Sequence, residues 1–293
     1  MRKKIFISSL IIFTITIGCF FICVSIQQKI YDTNIHGIIV RNQVWSGNIL
    51  VDGDILVMPW VHLTILPGTN VTITANKDVH NLFGWMICDG IIGYDLLTGI
   101  KQENNTNCGV HQNEPYRDEG HHVSIIILGR LEAIGTEEER ITFRSDSETP
   151  GIYDWNKFII SNGVLSYANV ENYRVLGVSS GVEISHNNLR NIGECGVCMD
   201  KDENAKILYN NISYAGHELI DMHECSPIIQ YNNLGPNPGR GACIIIDGGS
   251  PKIENNRIYG CDVGVSFISP PDKPIIENNI FLNNTNNISY DYL

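Results

Sequence analysis

Ile184-Ser-His-Asn187-Asn188-Leu189, Ile207-Leu-Tyr-Asn210-Asn211-Ile212, Ile229-Gln-Tyr-Asn232-Asn233-Leu234, Ile253-Glu-Asn255-Asn256-Arg-Ile258 and Ile276-Glu-Asn278-Asn279-Ile280 are five writings of one phrase. Between the first Asn of each pair (187, 210, 232, 255, 278) the steps are 23, 22, 23 and 23 residues. A regular period of this length, carried by β-branched residues and Gly/Asn turns without helical a/d spacing, describes a solenoid with one turn of chain per repeat.

The fold class that follows is all-β: a single-stranded right-handed parallel β-helix with coils of 22–23 residues. Coils stacked at the strand spacing of roughly 4.8 Å bring equivalent residues into columns. The first Asn of each pair is expected at a corner, because Asn tolerates left-handed backbone angles and its amide can hydrogen-bond to the Asn above and below. The flanking Ile and Leu are expected to form inner columns, and since no single coil buries its apolar side alone, the stack is the folding unit. Upstream, Trp45-Ser-Gly-Asn-Ile-Leu-Val-Asp-Gly-Asp-Ile-Leu-Val57 and Leu63-Thr-Ile-Leu-Pro-Gly-Thr-Asn-Val-Thr-Ile73 show short strands broken by Asp-Gly and Pro-Gly turns. Together with Ile127-Leu-Gly-Arg-Leu-Glu-Ala-Ile-Gly-Thr136 and Arg140-Ile-Thr-Phe-Arg-Ser-Asp146, they resemble the opening coils of secreted, pectate-lyase-like β-helix proteins.

Residues 2–4 are Arg-Lys-Lys, and the next 22, Ile5 to Ile26, carry no charge. That length crosses a bilayer, and the basic flank belongs on the cytoplasmic side, so the remainder is expected outside the cytoplasm. Residues 1–26 read as a membrane anchor or a cleaved signal peptide, with Thr16-Ile-Gly-Cys19 as a weaker lipoprotein-box alternative. A linker over 27–36 and a β-helix over 37–293, interrupted by an insertion at 76–122, complete the expected organisation. The chain is 43% hydrophobic, enough for one folded domain, and its net charge of −12 argues against nucleic acid, whose phosphates it would repel. A neutral glycan fits that charge, as does an acidic one bridged by a cation such as calcium.

The insertion has no coil rhythm but holds Trp85, Tyr94 and Tyr116, candidate sugar-binding aromatics, and Cys88 and Cys108, a candidate disulfide in an exported protein. Its polar run from His111 to His122 contains metal-ligand types without a recognised spacing, and a solvated loop is the plainer reading. Cys195-Gly-Val-Cys198, Cys225, Cys243 and Cys261 read as buried structural thiols. Of the Asn-x-Ser/Thr sequons at Asn70, Asn104, Asn211, Asn283 and Asn287, Asn211 belongs to the Asn pairs and is expected to be inaccessible to a glycan.

Three successive strands end alike, in Met199-Asp200, Ile220-Asp221 and Ile246-Asp247. With the apolar residues inside, the three aspartates are expected in one outer column, with Asp202, His223 and Gly249 two residues on along the same side. Lys201, Glu224 and Arg240 lie nearby in sequence. Such a patch supplies acid/base groups on an elongated face suited to a sugar chain; strand-ending turn chemistry is the alternative and explains Asp247-Gly-Gly best.

Asp221-Met-His223-Glu224, with Asp247 one coil later, resembles the active-site segment of mannuronan C5-epimerases, in which Asp-Pro-His-Glu/Asp is followed one coil on by an Asp. The resemblance implies uronate chemistry carried by Asp221, His223 and Asp247; from the aspartate column and its patch, Asp200 is a further catalytic candidate, and Arg240, Asp202 and Glu224 are candidates to hold substrate. Met222 replaces the family's Pro, and Glu218 stands where its Tyr would be. The Ile-x-x-Asn repeats also resemble exported NosD-type proteins, which implies a structural or metal-handling module. Three readings follow: a surface-displayed polysaccharide-interacting β-helix, a lyase, epimerase or hydrolase on the same face, and a structural or metal-handling module.

Overall fold

The inward-facing Ile and Leu of the repeated phrase sit directly above one another. Ile184, Ile207, Ile229 and Ile253 are in register from coil to coil and fully buried, as are Leu189, Ile212, Leu234 and Ile258. The computed structural model describes residues 34–76, 122–201 and 204–291; the expected membrane segment, most of the expected insertion with its aromatics and cysteines, and Asp202 lie outside them. Among the described residues there are 27 strands, all paired in parallel, and no helix. The first strand, Ile35–Ile39, already pairs with Asn48–Val57.

Each coil contributes to three ladders. The first contains Glu183–Ser185, Lys206–Leu208, Ile228–Gln230 and Lys252–Glu254. The second contains Asn188–Ile192, Asn211–Ala215, Asn233–Leu234 and Arg257–Tyr259. The third contains Val197–Asp200, Ile220–His223, Asn237–Asp247 and Cys261–Ser269. A chain that always advances the same way and pairs only with the preceding and following coils is a parallel β-helix. Its core is aliphatic in the repeat region. In the earlier coils it is aromatic, with Phe143, Phe158, Trp155 and Tyr173 packed at ring separations of 5.0 to 6.0 Å.

The corner between the first and second ladders corrects the expected Asn column. The buried residues are Asn187, Asn210, Asn232 and Asn256, followed by Asn279. In the last two phrases the ladder residue is therefore the second Asn of the pair, and the steps are 23, 22, 24 and 23. The backbone N–H of Asn210 donates to Asn232 Oδ1 at 2.8 Å, while Asn210 Nδ2 donates to that oxygen at 3.1 Å and to the Ile184 carbonyl at 2.8 Å. Corner backbone groups that no strand can reach are thereby satisfied.

The left-handed position is the residue before the corner residue: Tyr167 precedes Ala168, while His186, Tyr209, Tyr231, Asn255 and Asn278 precede the ladder Asn, and all have φ between 51° and 59°. Non-glycine residues pay roughly 1–2 kcal/mol there. The four rings offset this by stacking on one another at 4.5 to 4.9 Å with planes within 7° of parallel. Asn211, expected to be inaccessible, is an exposed residue at the start of its strand, because the buried partner is Asn210.

Candidate functional site

In the third ladder, alternation sends Val197 and Met199, then Ile220 and Met222, then Ile244 and Ile246 into the core, and their neighbours outward. The register is Cys198 to Asp221 to Ile245, and Asp200 to His223 to Asp247. The expected single column of Asp200, Asp221 and Asp247 is therefore not formed. Asp221 lies one column away from the other two, and His223 stands between Asp200 and Asp247. Shifting a strand by two residues keeps every apolar side chain inside, so side-chain alternation alone cannot choose between the alignments.

His223 Nδ1 and Asp247 Oδ2 lie 2.7 Å apart across adjacent coils, with the imidazole half exposed. Asp221 is half-buried, and burial raises its carboxyl above the usual aspartate range; the Cys195 thiol and His223 oppose this, while Glu194 and Asp247 add to it. Glu218 is raised as well, first by burial and then by Asp221. Among the described residues neither oxygen of Asp200 has a hydrogen-bond partner, although both are buried. Glu224 is exposed and 3.9 Å from Lys201. Arg240 is exposed on the Asn237–Asp247 strand and makes no contact with Asp221 or His223.

Cys195 and Cys198, expected only as buried structural thiols, lie against carboxylates of the next coil. The Cys195 thiol faces Glu218 Oε2 at 3.7 Å and Asp221 Oδ2 at 3.8 Å, and Cys195, Cys198 and Asp221 offer donor atoms that all lie within 4.8 Å of one another. Cys195 and Cys198 are outside any disulfide, whereas Cys243 and Cys261, read as thiols, form a disulfide between adjacent coils. The bend carrying Cys195 depends on Gly196, since a Cβ there would lie 2.3 Å from the Leu219 carbonyl of the next coil. Tyr173 OH fixes the same bend by donating to the Gly196 carbonyl at 3.0 Å. Glu194, next to Cys195, is paired with Arg174 at 2.7 Å. One signal was available: Cys195 to Glu218 and Cys198 to Asp221 are each one 23-residue period.

Comparison with family models matches residues 174–292 to a right handed beta helix region, in agreement with the parallel stack. Curated proteins and solved structures give no match. The chain thus contains a right-handed parallel β-helix, and its chemistry has to be argued from its own side chains.

Proposed function

We propose that this β-helix interacts with polysaccharide along the outer side of its third ladder, held at the cell surface by residues 5–26. One observation carries the reading: the bonded His223–Asp247 pair stands beside Asp221 on a face that continues from coil to coil. Asp221 and Glu218, whose carboxyls burial raises above their ordinary ranges, supply hydrogen-bond acceptors for the hydroxyls of a sugar chain. The stacked row Tyr167, His186, Tyr209 and Tyr231 supports the fold more than the ligand, since both faces of His186 and Tyr209 and one face each of Tyr167 and Tyr231 are occupied by neighbouring rings.

The His223–Asp247 pair also favours a second reading, chemistry on the bound sugar. An imidazole oriented by a carboxylate serves as a base, with Asp221 or Glu218 as the neighbouring acid. In the related scheme expected from the epimerase resemblance, a Tyr completes the proton relay; Glu218 stands in its place and would have to take that role.

A proton NMR time course in D2O tests both. The full-length protein is mixed with alginate, pectate or a neutral glycan, with and without calcium. Binding broadens the lines of one glycan, and His223→Ala and Asp247→Ala reduce the broadening at least about tenfold in apparent affinity. Catalysis adds an unsaturated sugar, deuterium at C5 or new reducing ends, each lost in His223→Ala. Unaltered spectra with all three glycans count against the polysaccharide reading.

A further inference from the structure

Two cysteines and a carboxylate converge where the second ladder turns into the third. Cys195 is buried, while Cys198 and Asp221 are half-buried. We propose that Cys195, Cys198 and Asp221 form a binding site for a thiophilic divalent cation of the zinc type.

The distances suit it. With metal–sulfur bonds of about 2.3 Å and metal–oxygen bonds of about 2.0–2.2 Å, a tetrahedral site has S···O edges of about 3.5 Å and an S···S edge of about 3.8 Å. Cys195 Sγ already lies 3.8 Å from Asp221 Oδ2, and no pair in the triangle exceeds 4.8 Å. The ligands come from two adjacent coils held in parallel register, Cys198 directly opposite Asp221, so the triangle is largely built before a metal arrives.

The chemistry of the donors selects the ion. Calcium takes six to eight oxygens, whereas two sulfurs and one oxygen favour a softer cation. Three protein ligands leave a fourth position, and Glu218 adjoins the triangle, 3.7 Å from Cys195 Sγ. A divalent cation bound in the triangle would hold both sulfurs as thiolates, with release of their protons.

Asp221 belongs to both this site and the polysaccharide reading, and the two are told apart by the residues they do not share: Cys195 and Cys198 test the metal, and His223 and Asp247 test the sugar. The experiment is a Co(II) titration of the reduced, chelator-stripped full-length protein. The expected result is a near-ultraviolet thiolate-to-cobalt charge-transfer band that saturates at one equivalent and is displaced by Zn(II). C195S and C198S should each remove most of that band, D221N should weaken binding at least about tenfold, and C225S should leave the spectrum unchanged. Far-ultraviolet circular dichroism identifies any variant that fails to fold, and the wild-type titration stands without them. Absence of the band in the wild type overturns the site. So does a band that survives both C195S and C198S in folded protein, which would belong to other cysteines, or mass spectrometry showing Cys195 joined to Cys198 in the metal-treated protein.

Discussion

At the scale of single residues, the two asparagines of a pair have opposite duties. Asn256 is buried: its Oδ1 accepts from the Asn232 backbone N–H at 2.9 Å, and its Nδ2 donates to the Ile229 carbonyl at 2.8 Å. Asn255 is exposed with φ 57° and holds the left-handed corner. Asn256→Ala leaves several buried backbone groups unpaired and is expected to cost on the order of 3 kcal/mol. Asn255→Gly, which meets the same backbone requirement, is expected to stay within about 0.5 kcal/mol of the wild type. Urea unfolding of the two variants checks the pair, and equal losses would contradict the assignment of the ladder to Asn256. The same contrast separates Cys195 and Cys198 from Cys243: all are apolar enough to be read as core, but only the neighbours in the next coil decide between a donor triangle and a disulfide.

At the scale of elements, the third ladder is where coils are tied most closely. Its strands Asn237–Asp247 and Cys261–Ser269 pair with register shifts near Ala242 and Asp247. Cys243 and Cys261 join them, 18 residues apart in sequence with Cα atoms 5.7 Å apart. Closing a loop of that length contributes about 3 kcal/mol in the chain-entropy picture. Reduction, or the double variant C243S/C261S, is therefore expected to lower the denaturation midpoint by a corresponding amount. A midpoint that does not respond to reductant would count against the bond. The element also explains why the strand ends were misaligned: Asp200 to Asp221 is 21 residues and Asp221 to Asp247 is 26, whereas Asp200 to His223 is 23 and His223 to Asp247 is 24. Similar dipeptides suggested one alignment, and the period of the Asn ladder, carried across the coil, supports the observed one.

For the whole molecule, stability passes from coil to coil as in any one-dimensional stack. Ile253, Ile258, Val265 and Phe267 are buried, but their counterparts in the last described coil are not: Ile288 and Tyr290 are exposed, and Ile276 and Phe281 only partly covered. Residues with fewer buried contacts open at lower free energy. Amide hydrogen exchange is expected to be fastest in Ile275–Glu277 and Ile280–Leu282 and slowest in the middle coils, around Ile207 and Ile212. Uniform protection along the stack would show that it opens only as one unit.

The sequence by itself determined the repeat, the parallel stack and its inner apolar columns, because each depends on a period and on side-chain alternation that a chain displays without reference to its partners. His223 and Asp247 were legible as members of one acid/base patch, but not as a bonded pair. Which Asn is buried, which residue bears the left-handed angle, which outward side chains share a column, and which cysteines meet were decided by tertiary structure. The physical reason is that a strand can slip by two residues without exposing a single apolar side chain. Corner hydrogen bonds from Asn187 to Asn279 and ring stacking from Tyr167 to Tyr231 are contacts between coils, and they select one register among alternatives that local sequence leaves equal.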